Sequence, residues 1–238
     1  MTVQGRRARA HLRLGAALFN GDHSRLGDEV ARLEAAGLDF IHLDVFDGHF
    51  VSDLGFPPRT IAALRPLTQL PFEVHLGAQE PLRFVDALVE AGTDLLVLHI
   101  ESVAMVYETL YFVRAANVRI GLALSMGTPL EQLAPVIHLL DAVLLLSRVT
   151  GEGTKGANFD ARVLPRLRRV REMIEAERVP VDLQVAGGIR REHLPDLVKA
   201  GATSVALGGG LYHVPEMAVE VRELRQVAAH ASFIEGSV

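Results

Sequence analysis

Short apolar runs alternate with amphipathic stretches along most of the chain. The runs fall near Leu12–Phe19, Phe40–Val45, Phe72–Leu76, Leu95–His99, Ile120–Leu124, Ala142–Ser147, Val181–Val185 and Ser204–Leu207. Short, nearly continuous apolar runs suit parallel strands buried on both faces. Between them apolar residues recur at helical spacing, as over Arg25–Ala36, Leu82–Ala91, Leu130–Leu139 and Ala161–Glu177. Thr128-Pro129-Leu130-Glu131 has capping-box spacing with proline at the first helical position, so a helix is expected to start there.

The pattern repeats. Ala36-Gly37, Ala91-Gly92 and Ala200-Gly201 each close an amphipathic stretch and precede a strand. A glycine just past a helix supplies the left-handed turn that returns the chain to the sheet. Strand–helix alternation implies a parallel sheet. With eight repeats the expected fold is α/β, a single closed (β/α)8 TIM barrel, rather than an open doubly wound sheet. No Gly-x-Gly-x-x-Gly follows the first run, which weighs against a dinucleotide fold. Nothing resembles a linker. Residues 1–238 are read as one barrel domain, with 1–11, including Arg6, Arg7 and Arg9, as a loose N-terminal extension.

Composition narrows the class. The 238 residues are 49% apolar, enough for one large core, and barrels of this kind run to ~250 residues. The net charge is -5 and the basic residues are scattered, so no nucleic-acid partner is expected. Cysteine is absent, which excludes disulfides and thiolate metal sites and fits a reducing compartment. No apolar run reaches the ~20 residues that span a bilayer. The N-terminus lacks the apolar core and cleavage site of a signal peptide. The expectation is a cytoplasmic protein with no membrane partner.

Functional groups of a barrel lie at the C-terminal ends of its strands. In the second run His42 and Asp44 are two apart and share one side, while Ile41, Leu43 and Val45 take the other. Glu73 and His75 alternate in the same way with Val74 and Leu76 in the third. Two histidines and a carboxylate converging on one rim are a candidate divalent-metal site. Glycine clusters follow the last three runs: Gly151, Gly153 and Gly156, then Gly187-Gly188, then Gly208-Gly209-Gly210. Glycine lets backbone amides approach a phosphate, and barrel phosphate sites use loops of this kind. Lys155 in the first cluster either adds charge to the phosphate or is solvated; sequence offers no basis to choose.

From about Leu14 to about Tyr212 the chain resembles the ribulose-phosphate 3-epimerase family. The resemblance is carried by His42-Leu-Asp44-Val-Phe-Asp47-Gly-His49-Phe-Val51 and Phe72-Glu-Val-His75-Leu76. Gly127-Thr-Pro129-Leu130, the glycine loop at 151–154, Gly187-Gly188-Ile189 and the final glycines add to it. It implies a metal-dependent barrel enzyme that inverts one carbinol centre of a ketose phosphate in pentose phosphate and carbohydrate metabolism. His42, Asp44 and His75 would be metal ligands, and Asp44 would also be one of two carboxylates exchanging a proton across an enediolate. Gly151, Gly153, Thr154, Gly187, Gly188, Gly208 and Gly209 would hold the phosphate or substrate. The metal would be Zn, Fe, Mn or Co, and a homo-oligomer is implied by the same likeness.

The sequence departs from the family where the second carboxylate belongs. The family has an aspartate directly before the Gly-Gly pair, serving as fourth ligand and second acid/base; here it is Ala186. Ala17 stands in place of a serine, Phe46, Gly77 and Leu146 in place of methionines, and Glu152 and Thr154 in place of phenylalanine and glycine. Glu152 is the preferred substitute acid, with Gln184, His99, Glu101 and His49 as structural or substrate-contacting groups. The resulting expectation is a metal-dependent sugar-phosphate epimerase or isomerase with Asp44 as acid/base. A sugar-phosphate lyase and a catalytically silent sugar-phosphate-binding protein are the alternatives. Phe46 stands where a related lyase branch carries lysine, which counts against that branch.

Overall fold

The computed structural model describes residues 11–149 and 158–235. Its strands are β1 (Arg13–Ala17), β2 (Phe40–Phe46), β3 (Phe72–Gly77), β4 (Leu95–His99), β5 (Arg119–Leu124), β6 (Ala142–Leu146), β7 (Asp182–Ala186) and β8 (Ser204–Leu207). Each pairs in parallel with the next, and β1 closes the barrel on β8. The helices are α1 (Leu26–Ala35), α2 (Pro58–Leu64), α3 (Val85–Glu90), α4 (Val106–Ala115), α5 (Val163–Glu177), α6 (Leu194–Lys199), α7 (Gly209–Tyr212) and α8 (Met217–Glu235). This is the expected (β/α)8 barrel. The Ala-Gly turns behave as anticipated: Gly37, Gly92 and Gly201 have φ of 81°, 91° and 97°.

One connection departs from expectation. Instead of a helix over Leu130–Leu139 there are two short 3-10 turns, Leu130–Leu133 and Ile137–Leu139. Pro135 lies between them, and a proline there removes an N–H and crowds the preceding turn. Pro129 is the cap residue with no side-chain cap bond, and the Thr128 hydroxyl donates to Glu101 instead of capping.

Strand alternation creates two cores. Outward residues such as Ile41, Leu43, Val45, Val74 and Leu76 are buried against the helical layer. Inside the barrel, Leu95, Val97, Ala123, Ala142, Leu144 and Leu146 fill the side formed by β4, β5 and β6. The inner face of β2, β3, β4 and β7 is polar: His42, Glu73, His75, His99 and Gln184 are all at most 3% exposed. Burying polar groups at that depth is costly unless each finds a partner. That requirement shapes the site.

The N-terminal end of the barrel is closed by the Phe40 ring, seated where β1 has no side chain. A methyl at Gly15 would come within 2.2 Å of Phe40 Cε2. Gly15→Ala is therefore expected to destabilise the fold by ~1–3 kcal/mol through overpacking. The denaturation midpoint reads this out; an unchanged midpoint would show that Phe40 moves aside freely.

Candidate active site

Parallel register sets His42 beside Glu73 and Asp44 beside His75, making a block of four ionisable side chains on the inner face. His42 Nδ1 lies 2.9 Å from Glu73 Oε1, and His42 Nε2 lies 3.4 Å from Asp44 Oδ1. The same Asp44 oxygen is 3.0 Å from His75 Nδ1. One ligand atom from each of His42, Asp44 and His75 lies within 4.8 Å of the others, a spacing that one cation could bridge.

Both imidazoles are backed by outer partners. His75 Nε2 is 2.8 Å from Nε2 of His99, whose Nδ1 is 2.9 Å from Glu101 Oε2. The other Glu101 oxygen accepts from the Ser125 backbone N–H at 2.7 Å and from the Thr128 hydroxyl. On the other arm Gln184 Nε2 donates to Glu73 Oε2 at 2.7 Å.

The donor count in this network does not balance. An ionised carboxylate only accepts, and a neutral imidazole carries one N–H. His42 faces a carboxylate at each nitrogen, so in its neutral form it is one proton short. His75 and His99 together face three contacts, Asp44, each other and Glu101, with two protons between them. Once the outer contacts are made, the nitrogens left as lone pairs are His42 Nε2 and His75 Nδ1, and both face Asp44 Oδ1. A proton can fill either gap. One cation among the three atoms fills both, so the donor set fits a divalent metal.

The electrostatics follow from the same contacts. Burial works against charge on His42, but the Asp44 and Glu73 carboxylates outweigh it and hold the imidazolium up to about 10. Burial also opposes charge on Asp44, yet His42 and His75 pull it below the ordinary carboxylate range. His75 moves the other way: burial, with His99 and His42 nearby, pushes it down to about 4 against the pull of Asp44. Glu101 is penalised by burial, but bonds from His99, Thr128 and Ser125 bring it to about 2. In the metal-free protein a proton on His42 meets the shortage on that arm.

These groups line a cavity at the C-terminal rim, where barrel sites are found. On the β7 and β8 side its wall is Ala186, Gly187, Gly188, Gly208, Gly209 and Gly210. Gly187 and Gly188 have φ of 113° and 65°, which side chains rarely adopt, and a methyl on Gly188 would lie 2.8 Å from the Phe159 nitrogen. Backbone in this wall is exposed to whatever occupies the cavity.

Residues 13–212 match the ribulose-phosphate 3 epimerase family. The chain belongs to that family. It is 33% identical over 216 residues to the ribulose-phosphate 3-epimerase of Bacillus subtilis, covering 90% of this chain and 98% of the relative. Identity to the Synechocystis enzyme of the same name is 32% over 211 residues, covering 88% and 91%. Among solved structures, a 3-hexulose-6-phosphate synthase superposes with a TM-score of 0.66 at 18% identity, covering 91% of this chain and 99% of that one. Phosphoribosyl anthranilate isomerase of Thermus thermophilus gives 0.63 at 17%, covering 92% and 99%. These last two likenesses are in fold alone.

Within this family member, His42, Asp44 and His75 come together as the sequence suggested, and Gly187, Gly188, Gly208 and Gly209 share their cavity. Ala17, Phe46, Leu146 and Ala186 also line it, while Gly77 packs behind the Phe46 ring. Gly151, Glu152, Gly153, Thr154 and Lys155 lie outside the described residues. Of the groups expected to be structural or substrate-contacting, Gln184, His99 and Glu101 are committed to the buried arms, and His49 is exposed. Sequence reading passed over Asn20, Asp53, Arg148 and Arg190, which also line the cavity. All four follow strand ends, Asn20 in a 3-10 turn and the others outside helix and strand, where period-two alternation no longer tells which way a side chain points.

A pH prediction follows for the metal-free protein. His42 has a raised pKa, so its contribution to stability is fully present below 6.5 and is lost as pH rises through about 10. Glu73→Gln removes one of the carboxylates responsible. The variant should titrate His42 at lower pH, read from its imidazole nitrogen shifts, and should lose less stability than wild type between pH 7 and 10. An unmoved His42 titration would remove Glu73 as a cause.

Proposed function

We propose that this chain is a metal-dependent epimerase or isomerase of a sugar phosphate, with Asp44 as its acid/base group. Membership of the ribulose-phosphate 3-epimerase family supports carbohydrate-phosphate epimerisation as the reaction class. The observation that carries the metal is the double shortage of protons converging on one oxygen of Asp44. A silent binding protein has no use for such an arrangement.

His42, Asp44 and His75 would hold the cation, which supplies the positive charge that stabilises an enediolate. Zn, Fe, Mn and Co all suit two imidazoles and a carboxylate. Glu73 accepts the Nδ1 proton of His42, and His99 accepts the Nε2 proton of His75, so each ring presents its other nitrogen to the shared centre. Asp44 Oδ2 makes no hydrogen bond among the described residues, and Asp44 lines the cavity, so that oxygen is free to take a proton from carbon. Gly187, Gly188, Gly208 and Gly209 would receive the phosphate on bare backbone, together with the loop carrying Gly151, Gly153 and Thr154. One carboxylate suffices to move a proton on one face, as in aldose–ketose isomerisation. Inversion of a centre needs a second donor opposite, and Ala186 is not one.

The test uses metal-loaded protein, ribulose 5-phosphate and heavy water, following deuterium at the third carbon. Asp44→Asn should slow exchange by ~10²–10⁴-fold. Exchange at the wild-type rate would end the role given to Asp44. Ala186→Asp should raise conversion to the third-carbon epimer by ~10²-fold; no gain would mean that more of the site than one acid has changed.

A further inference from the structure

We infer that the sugar phosphate taken by this site carries a second anionic group, a carboxylate, bound beside Ala186 by Arg148. The inference rests on the reading of the cavity as a sugar-phosphate site. Arg148 leaves the end of β6 at a fixed place. The preceding Ser147 hydroxyl, with one proton to give, lies 2.9 and 2.5 Å from the carbonyls of Ala186 and Gly187, tying β6 to the end of β7. The Arg148 stem then lies over Gly187, whose position has room only because it lacks a side chain: a methyl there would come 2.8 Å from Arg148 Cγ.

Arg148 as a whole is half-buried and lines the cavity, and its guanidinium has no hydrogen bond or ion pair among the described residues. Arginines whose stems are likewise partly buried are matched, as in Arg13–Asp182, Arg65–Asp94 and Arg225–Asp39. A guanidinium on a cavity wall without an acceptor is placed to receive a planar anion, and its fork matches a carboxylate. Arg190, exposed at the rim of the same cavity, adds a second positive charge.

The phosphate does not account for this charge. Bare amides of Gly187, Gly188, Gly208 and Gly209 can hold a phosphate without a side-chain cation. The three candidate ligands give a divalent cation one negative charge, that of Asp44, and Ala186 adds none. Asp53 is the other carboxylate on the cavity wall among the described residues; its Oδ1 accepts the Leu54 N–H. The β7 side of the cavity thus combines a methyl and an unmatched guanidinium. A phosphorylated sugar acid supplies both anions that such a wall and cradle ask for.

A matched pair of ligands tests this: ribonate 5-phosphate and ribitol 5-phosphate differ only in carboxylate against hydroxymethyl at the first carbon. Calorimetric titration of metal-loaded wild type should show the acid binding at least ~10-fold more tightly, as one charge-assisted contact provides. Arg148→Gln should reduce that preference to under about twofold, Arg148→Lys should retain part of it, and Ala186→Asp should reverse it by placing a negative charge where the carboxylate sits. Equal binding of the pair by wild type, or an equal loss for both ligands in Arg148→Gln, would overturn the inference while leaving the sugar-phosphate site standing. If neither ligand bound at all, the sugar-phosphate reading would fall with it.

Discussion

The site is organised around one oxygen atom. Asp44 Oδ1 lies within reach of an imidazole nitrogen from its own strand and another from β3. Each imidazole is committed on its far side, one to Glu73 and one to His99. A buried network of this kind is expensive unless complete. The strand register that aligns His42 with Glu73 and Asp44 with His75 satisfies most of it, leaving the two imidazole lone pairs facing Asp44 and, behind Glu73, the Gln184 Oε1 without a donor among the described residues. The cavity and its glycine wall acquire chemical meaning from those two lone pairs.

The barrel interior shows how this polar construction is tolerated. On the side of β4, β5 and β6 the inner face is aliphatic and closely filled. The opposite side carries the imidazoles and carboxylates, and Gln184 crosses from β7 to hold Glu73. Gln184 cannot replace a missing acid because its amide is already used to orient a carboxylate behind His42. The same holds for Glu101, whose two oxygens serve His99, Ser125 and Thr128. These groups fix which nitrogen each ring presents, a role that is structural in position and chemical in effect.

Most of the fold was legible because it rests on periodicity. The eight apolar runs, the Ala-Gly turns and the inward direction of His42, Asp44 and His75 all follow from patterns of two or 3.6 residues. The reading failed where a local breaker overrode the period, as Pro135 does between Leu133 and Ile137. It also failed at the partners of Glu101, because a capping-box spacing at Thr128 is indistinguishable in sequence from a hydroxyl that reaches across to another strand end. Asp53, Arg148 and Arg190 were invisible for a different reason. Loop side chains are directed by tertiary contacts, and the one that directs Arg148 is its packing over the glycine that follows β7.

That packing bears on how a family member can change chemistry without changing fold. Ala186 sits at the end of β7, buried at 9% exposure, with its carbonyl taken by Ser147. Its methyl belongs to the inner apolar cluster with Leu146 and Ala206 and also lines the cavity. An acid there would act on the cavity alone. Its replacement by a methyl therefore costs the scaffold little, whereas the imidazole arms cannot be altered without stranding buried charge. The half of the site that is built into the barrel, His42, Asp44 and His75, is constrained by folding as well as by chemistry. The half on the β7 rim is constrained by chemistry alone, and it is there that Arg148 and Ala186 give this chain its own character.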